Sequence, residues 1–173
     1  MHATGGIPQL VAVLGATKPT SSTLLVRLLV AMGLTYLLGF ERQIRGSTAG
    51  DRTFTLVGLG AAVIGYLATN GAPNALAGVV TGIGFLGAGV IIHGGGDNEG
   101  NGMVRGVTTA ATFFLAAAVG ASAGQGHLLF SAEAAIAGLV ILELQHVRFL
   151  RFLDGRYWST RFKNDPGMEE PSA

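Results

Sequence analysis

The stretch VVTGIGFLGAGVII, residues 79–92, places Gly82, Gly84 and Gly87 at the spacing of a G-x-G-x-x-G dinucleotide fingerprint. That reading needs a strand before it, a helix after it and an acidic residue about 20 positions further on. The surroundings do not supply them. From Thr53 to Ile92 the chain has no Asp, Glu, Lys, Arg or His, and residues 102–104 are Gly-Met-Val. The run is about twice the roughly 20 residues that a helix needs to cross hydrocarbon. Asn70-Gly71-Ala72-Pro73-Asn74 interrupts it with a strong turn signal, so it reads as two helices joined by a hairpin. In that setting glycines serve a different purpose: they let helices approach closely inside a bilayer. Gly78 and Gly82 are four apart, as are Gly84 and Ala88, and Gly87 and Gly89 add further small positions.

Composition points the same way. Of 173 residues 49% are hydrophobic and 12% charged, with a mean hydropathy of +0.51; an ordinary soluble domain is about 25% charged. The length fits one domain. A net charge of +1 gives no field for nucleic acid, and the absence of cysteine excludes disulfides and thiolate metal sites. Glycine occurs 28 times, although each costs a helix about 1 kcal/mol relative to alanine; membrane helices carry it more freely.

Five spans follow, at about 22–40, 53–70, 75–92, 106–123 and 128–147, within a transmembrane domain of residues 22–150. Their connections alternate in charge. Arg42, Arg45 and Arg52 follow the first span, Arg105 precedes the fourth, and Arg148, Arg151, Arg156, Arg161 and Lys163 follow the fifth. Connections 71–74 and 124–127 hold no Lys or Arg. The positive-inside rule then predicts an outside N-terminus and a cytoplasmic C-terminus. Residues 1–21 read as a leader or interfacial segment, since the apolar stretch from Ile7 to Ala16 is too short to span and has only His2 before it. A cleaved signal peptide is the alternative. Residues 151–173 form a basic, then acidic, tail. The fold class is an all-α bundle of about five transmembrane helices. On the fourth, Thr108, Thr112, Ala116, Gly120 and Gly124 recur every four residues as a ridge of small side chains.

Three blocks, LLGFERQIRGSTAGDRT (37–53), VVTGIGFLGAGVII (79–92) and VRGVTTAATFFLAAAVG (104–120), resemble the MgtC/SapB family of bacterial membrane proteins. They stand in the family's order and roughly its spacing, and the resemblance covers about Leu24 to Phe152. It implies a multi-pass protein of the bacterial inner (plasma) membrane, linked to survival at low magnesium or under stress. One branch is thought to restrain the F-type ATP synthase, and no enzymatic reaction or cofactor is established. Larger members carry a cytoplasmic C-terminal regulatory domain; this chain is expected to resemble the short branch without it. Two departures fall on the side expected to face the cytoplasm. Asp51 and Phe54 flank the Arg-Thr pair where the family commonly has an apolar residue and a histidine. The loop HGGGDNEGNGM (93–103) is longer and richer in glycine than the resemblance implies.

The residues able to carry chemistry are few. Glu41, with Arg45 four positions on, reads either as an ordinary i,i+4 ion pair or as an interfacial carboxylate that binds a cation or a partner. Arg42 and Arg52 have the blander role of fixing orientation and meeting anionic lipid. Asp51 suits an N-cap or first-turn acid of the second helix. Arg105 lies on the same expected side as Glu41 and is placed to pair with it. Thr108 and Thr109 suit hydroxyl bonds to their own helix or a neighbouring one. Arg27, near the outer end of the first span, is expected to snorkel outward. Glu133 and Glu143 are intramembrane acids, expensive in lipid unless neutral or functional. Glu41, Asp51, Asp97 and Glu99 together form a weak case for Mg²⁺, and no metal ligand set is assigned. No Ser/His/Asp, Cys/His, H-E-x-x-H or P-loop arrangement occurs.

The sequence therefore reads as a non-enzymatic membrane protein that modulates another membrane complex or ion balance. Glu41, Arg42, Arg45, Asp51, Arg52 and Arg105 form its interfacial ionic cluster. Its partners are the bilayer and, by resemblance, the ATP synthase. The small-residue faces serve either a homodimer or packing within one bundle. The rival reading is a small ion or Mg²⁺ transporter or channel subunit, with Glu133, Glu143 and the Thr108/Thr112 ridge along its path.

Overall fold

The computed structural model describes residues 20–93 and 106–143, and all the elements there are helices. They are α1 (Ser21–Ile44), α2 (Asp51–Thr69), α3 (Ala75–His93), α4 (Val107–Gln125) and α5 (Leu128–Glu143). The five helices fall where the five apolar runs predicted them. Helices α1, α2 and α4 are long and apolar enough to cross a membrane, while α3 is apolar over the shorter Ala75–Ile91. The protein is thus an all-α membrane protein. The chain divides into two compact units, Met1–Gly138 and Leu139–Ala173. Of the second, Leu139–Glu143 is described, and it continues α5 as helix.

The helices end where the sequence can reverse cheaply. After α1, Gly46 takes φ 70°, and the Gly46 and Ser47 amides donate to the Gln43 and Arg42 carbonyls. After α4, Gly126 takes φ 100°, and the Gly126 and His127 amides donate to Ala123 and Ser122. Both are paired bonds of the Schellman type, which need a left-handed residue that glycine adopts without strain.

Within the first unit α4 is the central helix: 61% of its apolar stretch is buried, against 28% for α1 and for α2. The α2–α4 seam is closed by missing side chains. A Cβ at Gly120 would fall on the Gly58 carbonyl, one at Gly124 on the Ala62 carbonyl, and one at Gly65 on the Ala121 carbonyl. Backbone therefore lies against backbone, as expected where van der Waals packing rather than hydrophobicity drives association. Helix α1 joins the same seam. Gly58 has room only for the Thr35 side chain, and Ala31, Ala62 and Ala123 form a fully buried cluster. Phe54 of α2 stacks on Phe113 of α4 with ring centroids 4.6 Å apart. On α5, Ser131 is buried and shares a hydrogen bond of 2.7 Å with Ser122, and a Cβ at Gly138 would strike Leu115.

The small residues of α3 are used differently from the expectation. Gly87 meets Ala110 of α4, 3.4 Å from its would-be Cβ, and Val90 crowds Gly106. A Cβ at Gly78, Gly82, Gly84 or Gly89 would meet nothing within 4 Å. Among the α3 glycines, close contact within the described residues is thus made at Gly87, and mid-helix Ile83 is buried beside it. Gly78, Gly82 and Gly84 are exposed.

Candidate functional site at the arginine end

The polar end of the bundle is built where α1 ends, α2 begins and α4 begins. Gly39 starts the arrangement. A Cβ there would lie 2.7 Å from both the Asp51 Cα and the Phe54 Cβ, so its absence lets the start of α2 press onto the last turns of α1. Two residues later Glu41 is buried, 6% exposed. Arg42 takes its carboxylate bidentately: Nη2 donates to Oε1 at 2.7 Å and Nε to Oε2. Arg45 Nε adds a longer bond of 3.4 Å to Oε1. Bidentate arginine–carboxylate pairs are the strong, geometrically defined class of ion pair. Burial of one partner without the other would be costly, so the three side chains act as a unit. With two guanidinium groups on one carboxylate, the unit keeps a positive excess.

Around it the backbone is secured by side chains. Gln43 Oε1 accepts the Asp51 amide at 3.1 Å and fills the space that a side chain at Gly50 would take. Gly50 is the N-cap residue of α2, and Asp51 is its first residue, so Asp51 serves as the first-turn acid and not the cap. Its Oδ1 accepts the Arg52 amide at 2.6 Å. Ser47 and Thr109 share a hydroxyl hydrogen bond of 2.9 Å that ties the α1–α2 turn to the first turn of α4. Thr112 turns its hydroxyl onto the Thr108 carbonyl at 2.7 Å, while Thr108 itself is exposed. Thr112, Ala116 and Gly120 line the buried face of α4. Glu41, Arg42 and Arg45 are therefore brought together, with Asp51 and Arg52 at the neighbouring helix start. Arg105, Asp97 and Glu99 lie outside the described residues. Among the described residues no group of three His, Cys, Asp or Glu side chains is placed to hold a metal ion.

At the opposite end the structure corrects one expectation outright. Arg27 does not snorkel outward; it is 3% exposed and turned inward. Its Nη1 donates to the Gly124 carbonyl at 3.1 Å, and Nη2 would stand 2.7 Å from a Cβ at Gly126. The guanidinium thus lies against the carboxyl end of α4, where carbonyls lack intrahelical donors and the dipole is negative. A signal was present: an arginine one turn before Ala31, on the face that packs, opposite a helix terminus rich in glycine. Glu133 is exposed on α5, while Ser131 and Ala135 face inward. Glu143 lies in the second unit.

Fold and site together define a small-residue-packed helical membrane protein with a buried, arginine-clasped glutamate at one end. The chain belongs to the MgtC family, whose sequence model matches residues 28–149. Relatives include Protein SrpB of Synechococcus elongatus, 40% identical over 58% of this chain and 62% of the relative. The "Putative magnesium transporter YhiD" of Escherichia coli is 32% identical over 77% of this chain and 65% of its own length. Protein MgtC of Brucella abortus is 43% identical over 58% of this chain and 42% of its own length. The chain thus spans less than two-thirds of each of these relatives. No solved structure matches it.

Proposed function

We propose that this chain is a non-enzymatic, multi-pass protein of the bacterial inner membrane, with its N-terminus outside. Its role is in magnesium or stress adaptation, and it acts by modulating another membrane complex, the F-type ATP synthase or one that sets ion balance. The observation that carries this reading is the Glu41–Arg42–Arg45 unit. Its carboxylate is already saturated by arginine donors, which suits a rigid cationic surface better than a vacant cation site. Family membership supports the link to magnesium adaptation.

A second reading, a Mg²⁺ or ion transporter subunit, is favoured by the name of the E. coli relative. Against it stand the exposed Glu133 and Thr108, hydroxyls of Thr35 and Thr112 turned back onto their own helices, and a seam closed backbone to backbone.

The test is ATP-driven proton pumping and ATP hydrolysis in inverted inner-membrane vesicles, with and without the protein at native level. Both should fall when it is present and recover in Glu41→Gln. Faster collapse of the gradient with unchanged hydrolysis would establish ion conduction instead. No change in either would overturn modulation of the synthase.

A further inference from the structure

Between α2 and α3 lies an open groove of about 500 Å³. Its walls are Leu56, Val57, Ile83 and Leu86, and it is widened by Gly60 and Gly82, where an added Cβ would meet nothing within 4 Å. Such a volume is in the range of small-molecule sites, roughly 300–1,000 Å³. The groove runs from mid-span to the arginine end, and there Arg52 and Thr53 line its mouth.

Arg52 differs from the other arginines in the described residues. Arg42 and Arg45 are committed to Glu41, and Arg27 to the Gly124 carbonyl. Arg52 is exposed, and its guanidinium has no hydrogen bond or ion pair among the described residues. Thr53 adds a second donor. The Asp51 amide is taken by Gln43 and the Arg52 amide by Asp51, while intrahelical bonding starts with Phe54 to Gly50. The Thr53 amide, third in the helix, is therefore one of the orphan donors of a helix start. A cation and a backbone N–H at a positive helix end stand at one end of an open apolar slot.

We infer that this groove is a binding site for an anionic phospholipid, with the acyl chain along Leu56, Gly60, Gly82 and Ile83 and the phosphate at Arg52 and the Thr53 amide. The charge pattern selects lipid over a second copy of the chain. A second copy would bring another arginine end, whose cations repel, whereas a phosphate complements the guanidinium and the helix start. The site is separate from the Glu41 unit and does not depend on modulation of a partner.

The experiment is native mass spectrometry of the full-length protein in mild detergent, titrated with phosphatidylglycerol or phosphatidylcholine. One phosphatidylglycerol should be retained in preference to phosphatidylcholine, more weakly as ionic strength rises. Arg52→Gln should weaken phosphatidylglycerol binding about fivefold, the attraction of one cation to an anionic surface, and leave phosphatidylcholine unchanged. Gly82→Leu, which fills the slot without touching charge, should abolish retention of both. Gly78→Leu, on the same helix but outside the groove, should bind like the parent and shows that a leucine on α3 is tolerated. Equal retention of the two lipids by the parent, or full phosphatidylglycerol binding by Arg52→Gln, would overturn the assignment. So would a lipid-free dimer that Gly82→Leu dissociates, because the groove would then hold a second copy.

Discussion

Adding one methyl group to α4 should separate the positions that sequence alone made equivalent. In Gly120→Ala the new Cβ would stand 2.8 Å from both the Cα and the carbonyl carbon of Gly58; in Gly124→Ala it would stand 2.7 Å from the carbonyl carbon of Ala62. Every atom met is backbone, so no rotamer change relieves the clash. The carbonyl oxygens lie closer still, and ordinary contacts to carbon begin near about 3.2–3.5 Å, so α2 and α4 must part by about 1 Å. A gap of about that size forfeits a quarter to a half of the dispersion energy at each contact along the seam. The expected loss is about 1–3 kcal/mol for each variant. The double variant should lose less than the sum, because one separation relieves both sites. The control is Gly82→Ala, where the methyl meets nothing and helix propensity favours alanine by up to about 1 kcal/mol. Unfolding in mixed micelles with rising SDS, followed by helical circular dichroism, measures all four. A Gly120→Ala midpoint equal to that of Gly82→Ala, or strict additivity in the double variant, would refute backbone contact as the reason for these glycines.

Three further outcomes follow from particular bonds. Arg27→Met removes the donor to the Gly124 carbonyl; a loss of about 1.5–3 kcal/mol is expected for a charged hydrogen bond. Hydrogen exchange should be faster at the last turn of α4, and unchanged protection there would sink the capping role. Gln43→Ala removes the acceptor for the Asp51 amide and should cost about 1 kcal/mol, as other helix-cap deletions do. A matching loss in Gln43→Glu, which keeps an acceptor, would contradict it. Ser122→Ala and Ser131→Ala break one shared bond, so a double-mutant cycle should give a coupling of about 0.6 kcal/mol, typical of membrane interhelical bonds; zero coupling would mean the pair is incidental.

The sequence by itself determined the class of this protein and the positions of its helices. Charge-free runs of membrane length and the turn at Asn70–Asn74 are local signals, and burial in lipid leaves the chain no other way to satisfy its backbone. The three blocks likewise carried the family. The ion pair of Glu41 with Arg45 was legible too, because four residues is one helical turn. Which small residues touch depended on how helices dock, and periodicity cannot report that. Gly82 and Gly120 look alike in sequence, yet one faces open space and the other a carbonyl. The same holds for Arg27, whose inward turn depends on the end of a helix 97 residues away in the chain, and for Gln43, whose amide caps a helix that starts after the turn. Contacts of that range are fixed by packing between helices rather than by neighbours in sequence. Only the tertiary structure could therefore distinguish a glycine that closes a seam from one that opens a groove.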